Sequence, residues 1–411
     1  MLFARLTHNI NYAIYVNNYF IYYFLGQQMS TLPDLKSCFT QLIAAPSVSA
    51  LEAEHDMSNH AVISLLQNWF GELGFECETP TVADSRNKQN LIARLGTGSG
   101  GLLLAGHTDT VPFDEGRWSQ SPFELIEKDN RWYGLGTCDM KGFFALVLEA
   151  LKDMPLDQFK RPLTIFASAD EETTMSGAKA FADSKAVAPD YAVIGEPTSL
   201  KPVYMHKGHL AQGIRVIGRS GHSSDPARGL NAIEVMHKVI SQLMKLKQHL
   251  SDNYREDAFT VPYPTMNFGH IHGGDAANRI CGCCDLHLDI RPLPGMDLAE
   301  LELMVLNYLS DLSKEYPGSI SVSTLYPGAE SFAGKADNPW TKLVAELSGN
   351  EAEVVNYSTE APYINKLGCQ TLVLGPGSIN QAHQPDEFIG LEYLTPTVEL
   401  IKKMIFHACI K

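Results

Sequence analysis

Five short stretches of the chain carry side chains whose types suit metal-assisted hydrolysis. GHTDT supplies His107 and Asp109, GTCDMKG supplies Asp139, SADEETTMSG supplies Glu171 and Glu172 behind Asp170, GEPTS supplies Glu196, and NQAHQPDE supplies His383. Three carboxylates in a row after the apolar run LTIFA repel one another and lose hydration, so a cation or a proton has to offset them. Two imidazoles and several carboxylates are nitrogen and oxygen donors of the kind that zinc takes. So many carboxylates suit two ions about 3.5–4 Å apart sharing one bridging carboxylate, with one Glu left over as a base. Each stretch has a plainer reading: a hydrogen-bonded strand-end His, an Asp that caps a helix, a Glu pair on a solvated turn, a loop acid before Pro. Their joint placement favours chemistry.

The elements that must position them follow from periodicity. GLLLAGHTD, LTIFASADEE, YAVIGEP and TLVLGPG are apolar runs ending in polar clusters, and helical patterns such as HDMSNHAVISLLQNWFGELG (55–74) and MKGFFALVLEAL (140–151) lie among them. Strands alternating with helices predict an α/β fold with a mostly parallel sheet, in which functional groups collect beyond the carboxyl ends of strands. From 209 to 326 the order becomes strand, helix, strand, strand, helix, strand, the ferredoxin-like βαββαβ arrangement of an inserted α+β domain. The predicted organisation is an atypical segment 1–28, a first catalytic part 29–208, the insert 209–326 and a second catalytic part 327–411.

Composition narrows the partners. A chain of 411 residues, 45% hydrophobic, is expected to fold into two packed domains. A net charge of −15, from 32 basic and 47 acidic residues, argues against nucleic acid and anionic membrane. Eight cysteines without scaffold spacing suit a reduced, cytoplasmic compartment. CGCC (Cys281, Cys283, Cys284) lacks the CxxC spacing of a zinc knuckle and reads as small strand residues. Residues 1–28, rich in Asn, Tyr and Ile, make a poor spanning helix and a weak secretory signal. Met29 is the expected start, and a membrane anchor is the alternative.

The series GHTDTVP, YGLGTCDMKG, ADEE, GEPT, GHSSDP and NQAHQPDE, in that order from Met29 onward, resembles the di-zinc aminoacylase and carboxypeptidase family. Longer strings, GHTDTVPFDEGRW, GHIHGGDAANRIC, DIRPLPGM, VVNYSTEAP and LGPGSINQAHQPDE, are similar to its branch that acts on N²-acetyl-L-ornithine. The resemblance implies two zinc ions per subunit, with cobalt as a possible substitute. One ion would take His107, Asp139 and Glu196, the other Asp139, Glu172 and His383, with Asp139 as the bridge. It further implies that Asp109 orients the His107 imidazole, that Glu171 is the general acid/base, and that the insert serves dimerisation and closure. In the implied homodimer, His222 of GRSGHSSDP reaches the partner subunit's site and hydrogen-bonds the oxyanion. Asn278 and Arg291 are the family-matched substrate contacts, Arg291 for a carboxylate, and Glu360 of YSTEAP is placed to face the substrate ammonium. Read alone, His222 could cap its turn, Arg291 could make a structural ion pair, and Glu360 could be structural. The expected reaction releases acetate from N²-acetyl-L-ornithine to give L-ornithine, a step of arginine biosynthesis. The competing readings are the same chemistry on succinyl-diaminopimelate or a dipeptide, and a non-catalytic binding protein that keeps the fold. Such a relic would have little reason to keep a base beside a full ligand set.

Overall fold

The computed structural model describes residues 13–16, 19–22, 32–83 and 85–411. Most of segment 1–28 lies outside them; within it Ala13–Val16 and Tyr19–Tyr22 pair antiparallel. Among the described residues no helix is long and apolar enough to cross a membrane.

A main sheet runs in the order Phe332–Ala333, Val203–His206, Gln370–Val373, Tyr191–Ile194, Leu102–His107, Leu163–Ser168, Leu91–Leu95, Glu76–Glu78, with Glu353–Val355 also beside Val203–His206. Its four central strands, from Gln370–Val373 to Leu163–Ser168, are mutually parallel. The flanking pairs around them are antiparallel, apart from Glu353–Val355. Every residue of Leu102–His107 and Leu163–Ser168 is buried, because helices cover both faces and such strands read as unbroken apolar runs. Lys141–Lys152 and Leu394–Ile405 pack on one face. Ser176–Ser184 and Ala361–Asn365 pack on the other.

A separate four-stranded antiparallel sheet has the order Thr265–Gly273, Cys283–Arg291, His209–Ile217, Ile320–Ala329. With helices Ala232–Asn253 and Leu298–Glu315 in sequence between its strands, it has the expected βαββαβ order. The first helix presents Val235, Met236, Val239, Leu243, Leu246 and Leu250 at helical spacing to one sheet face, forming a core of its own. The chain enters and leaves this unit side by side: Val203–His206 pairs antiparallel with Phe332–Ala333.

Candidate metal centre and active site

The central strands deliver their carboxyl ends to one cleft. His107 closes its strand, Glu171 and Glu172 follow Leu163–Ser168, Glu196 follows Tyr191–Ile194, and His383 lies on the loop beyond Gln370–Val373. Asp139 precedes helix Lys141–Lys152 across a cis peptide to Met140. Glycines directly before two of these residues let that helix come close. A Cβ on Gly106 would stand 2.4 Å from Met140 Cε, and one on Gly195 would stand 2.3 Å from the Phe143 ring.

The six groups converge. His107 Nε2 lies 3.0 Å from Asp139 Oδ1 and 3.7 Å from Glu196 Oε1. His383 Nε2 lies 3.1 Å from Glu172 Oε2 and 3.7 Å from Asp139 Oδ2. Asp139 thus turns one oxygen to each imidazole. Ligand atoms of His107, Asp139 and Glu172 fall within 4.8 Å of one another, as do those of His107, Glu171 and Glu196. The Asp109 carbonyl accepts the His107 Nδ1–H at 2.9 Å, leaving Nε2 facing the cluster.

The electrostatics show how crowded the negative charge is. Burial first, and then Glu196 and Glu172, raise Glu171 well above the ordinary carboxylate range, although His107 pulls it down. Burial and Asp139 raise Glu196 likewise. Burial also opposes the charge on Asp139, but the His107 hydrogen bond wins and lowers it. The Glu172 hydrogen bond raises His383 to about 9. Two imidazoles and four carboxylates so placed are a donor set that fits divalent zinc or cobalt.

Three buried groups hold this arrangement, and sequence reasoning gave them other roles or none. The Asp109 carboxylate lies 3.8 Å from His107 Nδ1 and instead accepts the backbone N–H groups of Glu171 and Glu172 at 3.2 and 3.1 Å. The expected orienting of His107 therefore falls to its carbonyl, and its side chain anchors the acidic turn. Asp170, at φ 58°, is offset by an internal cation: Lys88, 1% exposed, reaches both Asp170 and, at 2.7 Å, Asp56. The partner of the first carboxylate in the row is thus a lysine. Glu387, on the His383 loop, accepts N–H groups of Gly136, Cys138 and Asp139 at 3.1, 2.8 and 3.0 Å, tying two ligand-bearing loops together. Its position four residues past His383 in one polar stretch was the only available signal; Lys88 in RNKQN carried none.

Other predicted residues are not in the cluster. A cleft of about 430 Å³ has Asp139, Glu171, Glu172, Glu196 and His383 on its wall, with His209, Arg291 and Tyr326 contributed by the insert. Arg291 donates from Nε to Asp289 at 3.0 Å. Glu360, expected as an ammonium partner or as a structural acid, lies off the cleft wall. It is fully buried, accepts from Ser168 Oγ at 2.7 Å, and is raised to about 7 by burial. It is absent from the cleft wall because YSTEAP leads into Ala361–Asn365, which packs beneath the sheet. His222 and Asn278 share a shallow exposed pocket at the tip of the insert. There His222 Nδ1 accepts from the Ser224 backbone N–H at 3.2 Å, the turn contact that its sequence context allowed. All eight cysteines are free, and Cys283 and Cys284 open a strand.

The model for "Peptidase family M20/M25/M40" matches residues 103–407. The chain belongs to this family. It is accordingly a metal-dependent hydrolase of amide bonds. Its relatives include a protein named acetylornithine deacetylase from Erwinia tasmaniensis, 56% identical over 92% of this chain and 98% of that one. A protein of the same name from Salmonella arizonae is 54% identical over 92% and 99%. Among solved structures, an M20 family metallo-carboxypeptidase from Sulfolobus solfataricus superposes with a TM-score of 0.74 at 17% identity, over 91% of this chain and 99% of that one. A di-peptidase from Saccharomyces cerevisiae superposes with a TM-score of 0.71 at 14% identity, over 90% and 95%. At such identities these two establish the fold alone.

Proposed function

We propose that this M20 member hydrolyses N²-acetyl-L-ornithine to L-ornithine and acetate, a step of arginine biosynthesis, as a cytoplasmic homodimer with two zinc ions per subunit. The observation that carries the substrate is the 56% identity to an acetylornithine deacetylase across 98% of its length. In this reading 29–208 and 327–411 form the catalytic unit and 209–326 the dimerisation and lid unit. His107, Asp139 and Glu196 would hold one ion, and Asp139, Glu172 and His383 the other. Cobalt would be an effective substitute, because such N/O donors discriminate poorly between the two.

When bound, the ions supply a water of lowered pKa and polarise the amide carbonyl. Glu171 takes the proton as the water oxygen adds to the acetyl carbon, then gives it to the amine nitrogen as the C–N bond breaks. The atoms balance as acetate and a free amine. Asp109 holds Glu171 in place through its backbone. Arg291 offers the guanidinium N–H groups not used on Asp289 to the substrate α-carboxylate, and Asn278, which shares the His222 pocket, would add a contact from a second copy. His222 of a second copy donates to the developing oxyanion.

The test is a free-amine assay on metal-stripped protein with zinc or cobalt restored, using N²-acetyl-L-ornithine, succinyl-diaminopimelate and a dipeptide in parallel. Metal-dependent turnover that prefers acetylornithine supports the reading. Preference for another substrate retains the site and overturns the specificity.

A further inference from the structure

The solvent face of the inserted sheet carries a second set of nitrogen donors, far in chemical character from the carboxylate-rich cleft. On Cys283–Arg291, Leu286, Leu288 and Ile290 point into the insert's core, so Asp285 and His287 point outward. On the edge strand Thr265–Gly273, Met266 and Phe268 belong to the core side. Strict alternation would send residues 270 and 272 inward after them. The register shifts between Phe268 and His270, and the extra residue, Gly269, turns His270 and His272 to the outer face. His270 then stands directly across from His287, and His272 across from Asp285.

The resulting spacing suits chelation. The His270 ring centre is 4.7 Å from that of His287 and 6.5 Å from that of His272. Imidazoles bound at about 2.0–2.1 Å to one tetrahedral ion have ring centres roughly 5 Å apart, between the two observed values. His270 and His272 are exposed and His287 half-buried, so their rings are free to turn, and binding one ion requires all three to turn toward one another. Arg215, the nearby cation, donates to Asp285 at 2.6 and 3.2 Å, so its charge is offset. Asp285 in turn stands beside the rings as an acceptor for an imidazole N–H, the support that metal-bound histidines use.

We propose that His270, His272 and His287 form a binding site for one divalent transition-metal ion of the zinc, cobalt, nickel or copper class. Imidazole donors select these ions over magnesium or calcium. The site is separate from the catalytic centre and does not depend on the substrate proposed above.

The experiment compares full-length protein with a His272→Ala/His287→Ala variant. Both are metal-stripped, dialysed against zinc and analysed for bound metal. The expected result is one equivalent fewer in the variant, with amide hydrolysis unchanged. Equal metal content in the two folded proteins would overturn the proposal. A second measurement needs no variant: histidine modification by diethyl pyrocarbonate, mapped by mass spectrometry, with and without zinc. Protection of all three residues by zinc is expected, and equal labelling with and without it also overturns the site.

Discussion

In the cleft, His107, Asp109 and Glu196 are almost without exposure, and every ligand loop is tied by hydrogen bonds to another. At the tip of the insert, His222 and Asn278 stand open; the His222 backbone bridges to Arg279, and its ring bonds to Ser224 in its own turn. Both sets are assigned to one reaction in our reading. Groups that must gather charge before substrate arrives are interlocked within one chain, where preorganisation costs nothing at the moment of reaction. A group that acts only on the oxyanion can stay outside until closure brings it in. His222 Nδ1 is already an acceptor from Ser224, which leaves Nε2–H as the donor.

The strongest way to test that contrast is to remove the base from the interlocked side. Glu171→Gln is expected to lower turnover by about 10²–10⁴-fold, with metal content unchanged by elemental analysis; near-normal turnover would remove its role. On the open side, His222→Ala should cost about 10²–10³-fold in kcat with metal content and melting temperature unchanged. Mixing the two dead variants sharpens this further. If His222 serves a second copy, random re-pairing of a two-fold dimer restores about a quarter of wild-type activity, and no recovery after exchange refutes the cross-subunit role.

Smaller effects come from the residues that hold the ligands. Glu387→Gln puts an N–H donor where three backbone N–H groups already point, and should weaken zinc binding by about 10–100-fold, measured by competition with a chelator. Lys88→Met leaves Asp170 buried and unpaired, a loss of about 3–5 kcal/mol in denaturant unfolding that Lys88→Met/Asp170→Asn should largely return. The least effect on turnover is expected at His206, where the chain crosses between the two regions. Burial lowers its pKa from 6.5 to about 4. Because the folded value lies below the unfolded one, its contribution is present above 6.5 and is lost as pH falls through about 4. The neutral ring uses both nitrogens, donating from Nδ1 to the Lys207 carbonyl at 2.8 Å and accepting from the Thr359 N–H at 3.3 Å. His206→Gln should flatten the stability curve between pH 6.5 and 4 by up to about 3 kcal/mol, read by unfolding at several pH values.

Much of this was legible in the chain. His107, Glu172 and Glu196 each sit just past an apolar run, and a parallel sheet gathers such positions at one end. The insert's strand and helix order was equally plain, because its periodicity switches cleanly between 2 and 3.6. What could not be read depends on partners remote in sequence. Lys88 meets Asp170 from 82 positions away, and Glu387 meets Cys138 from 249. Nothing in either local pattern signals the other. Asp109 illustrates a subtler limit: spacing placed it next to His107, but whether a carbonyl or a carboxylate faces the ring is decided by the backbone turn. Glu360 illustrates another, since a carboxylate raised to about 7 can be buried neutral, and composition does not distinguish it from a solvent-facing acid.

The side-by-side entry and exit of the insert carries a consequence for modularity. His206 and Phe332 are direct partners across an antiparallel pair, about 4.5–5.5 Å apart at Cα. A two-residue turn spans that gap. Segment 207–331 could therefore be excised and the ends joined as a hairpin at the rim of the main sheet, with no central strand re-threaded. The shortened polypeptide would keep all the candidate ligands. The insert is thus a cassette, which a lineage or a designer can exchange in one cut to change what approaches the metal centre without rebuilding the centre itself.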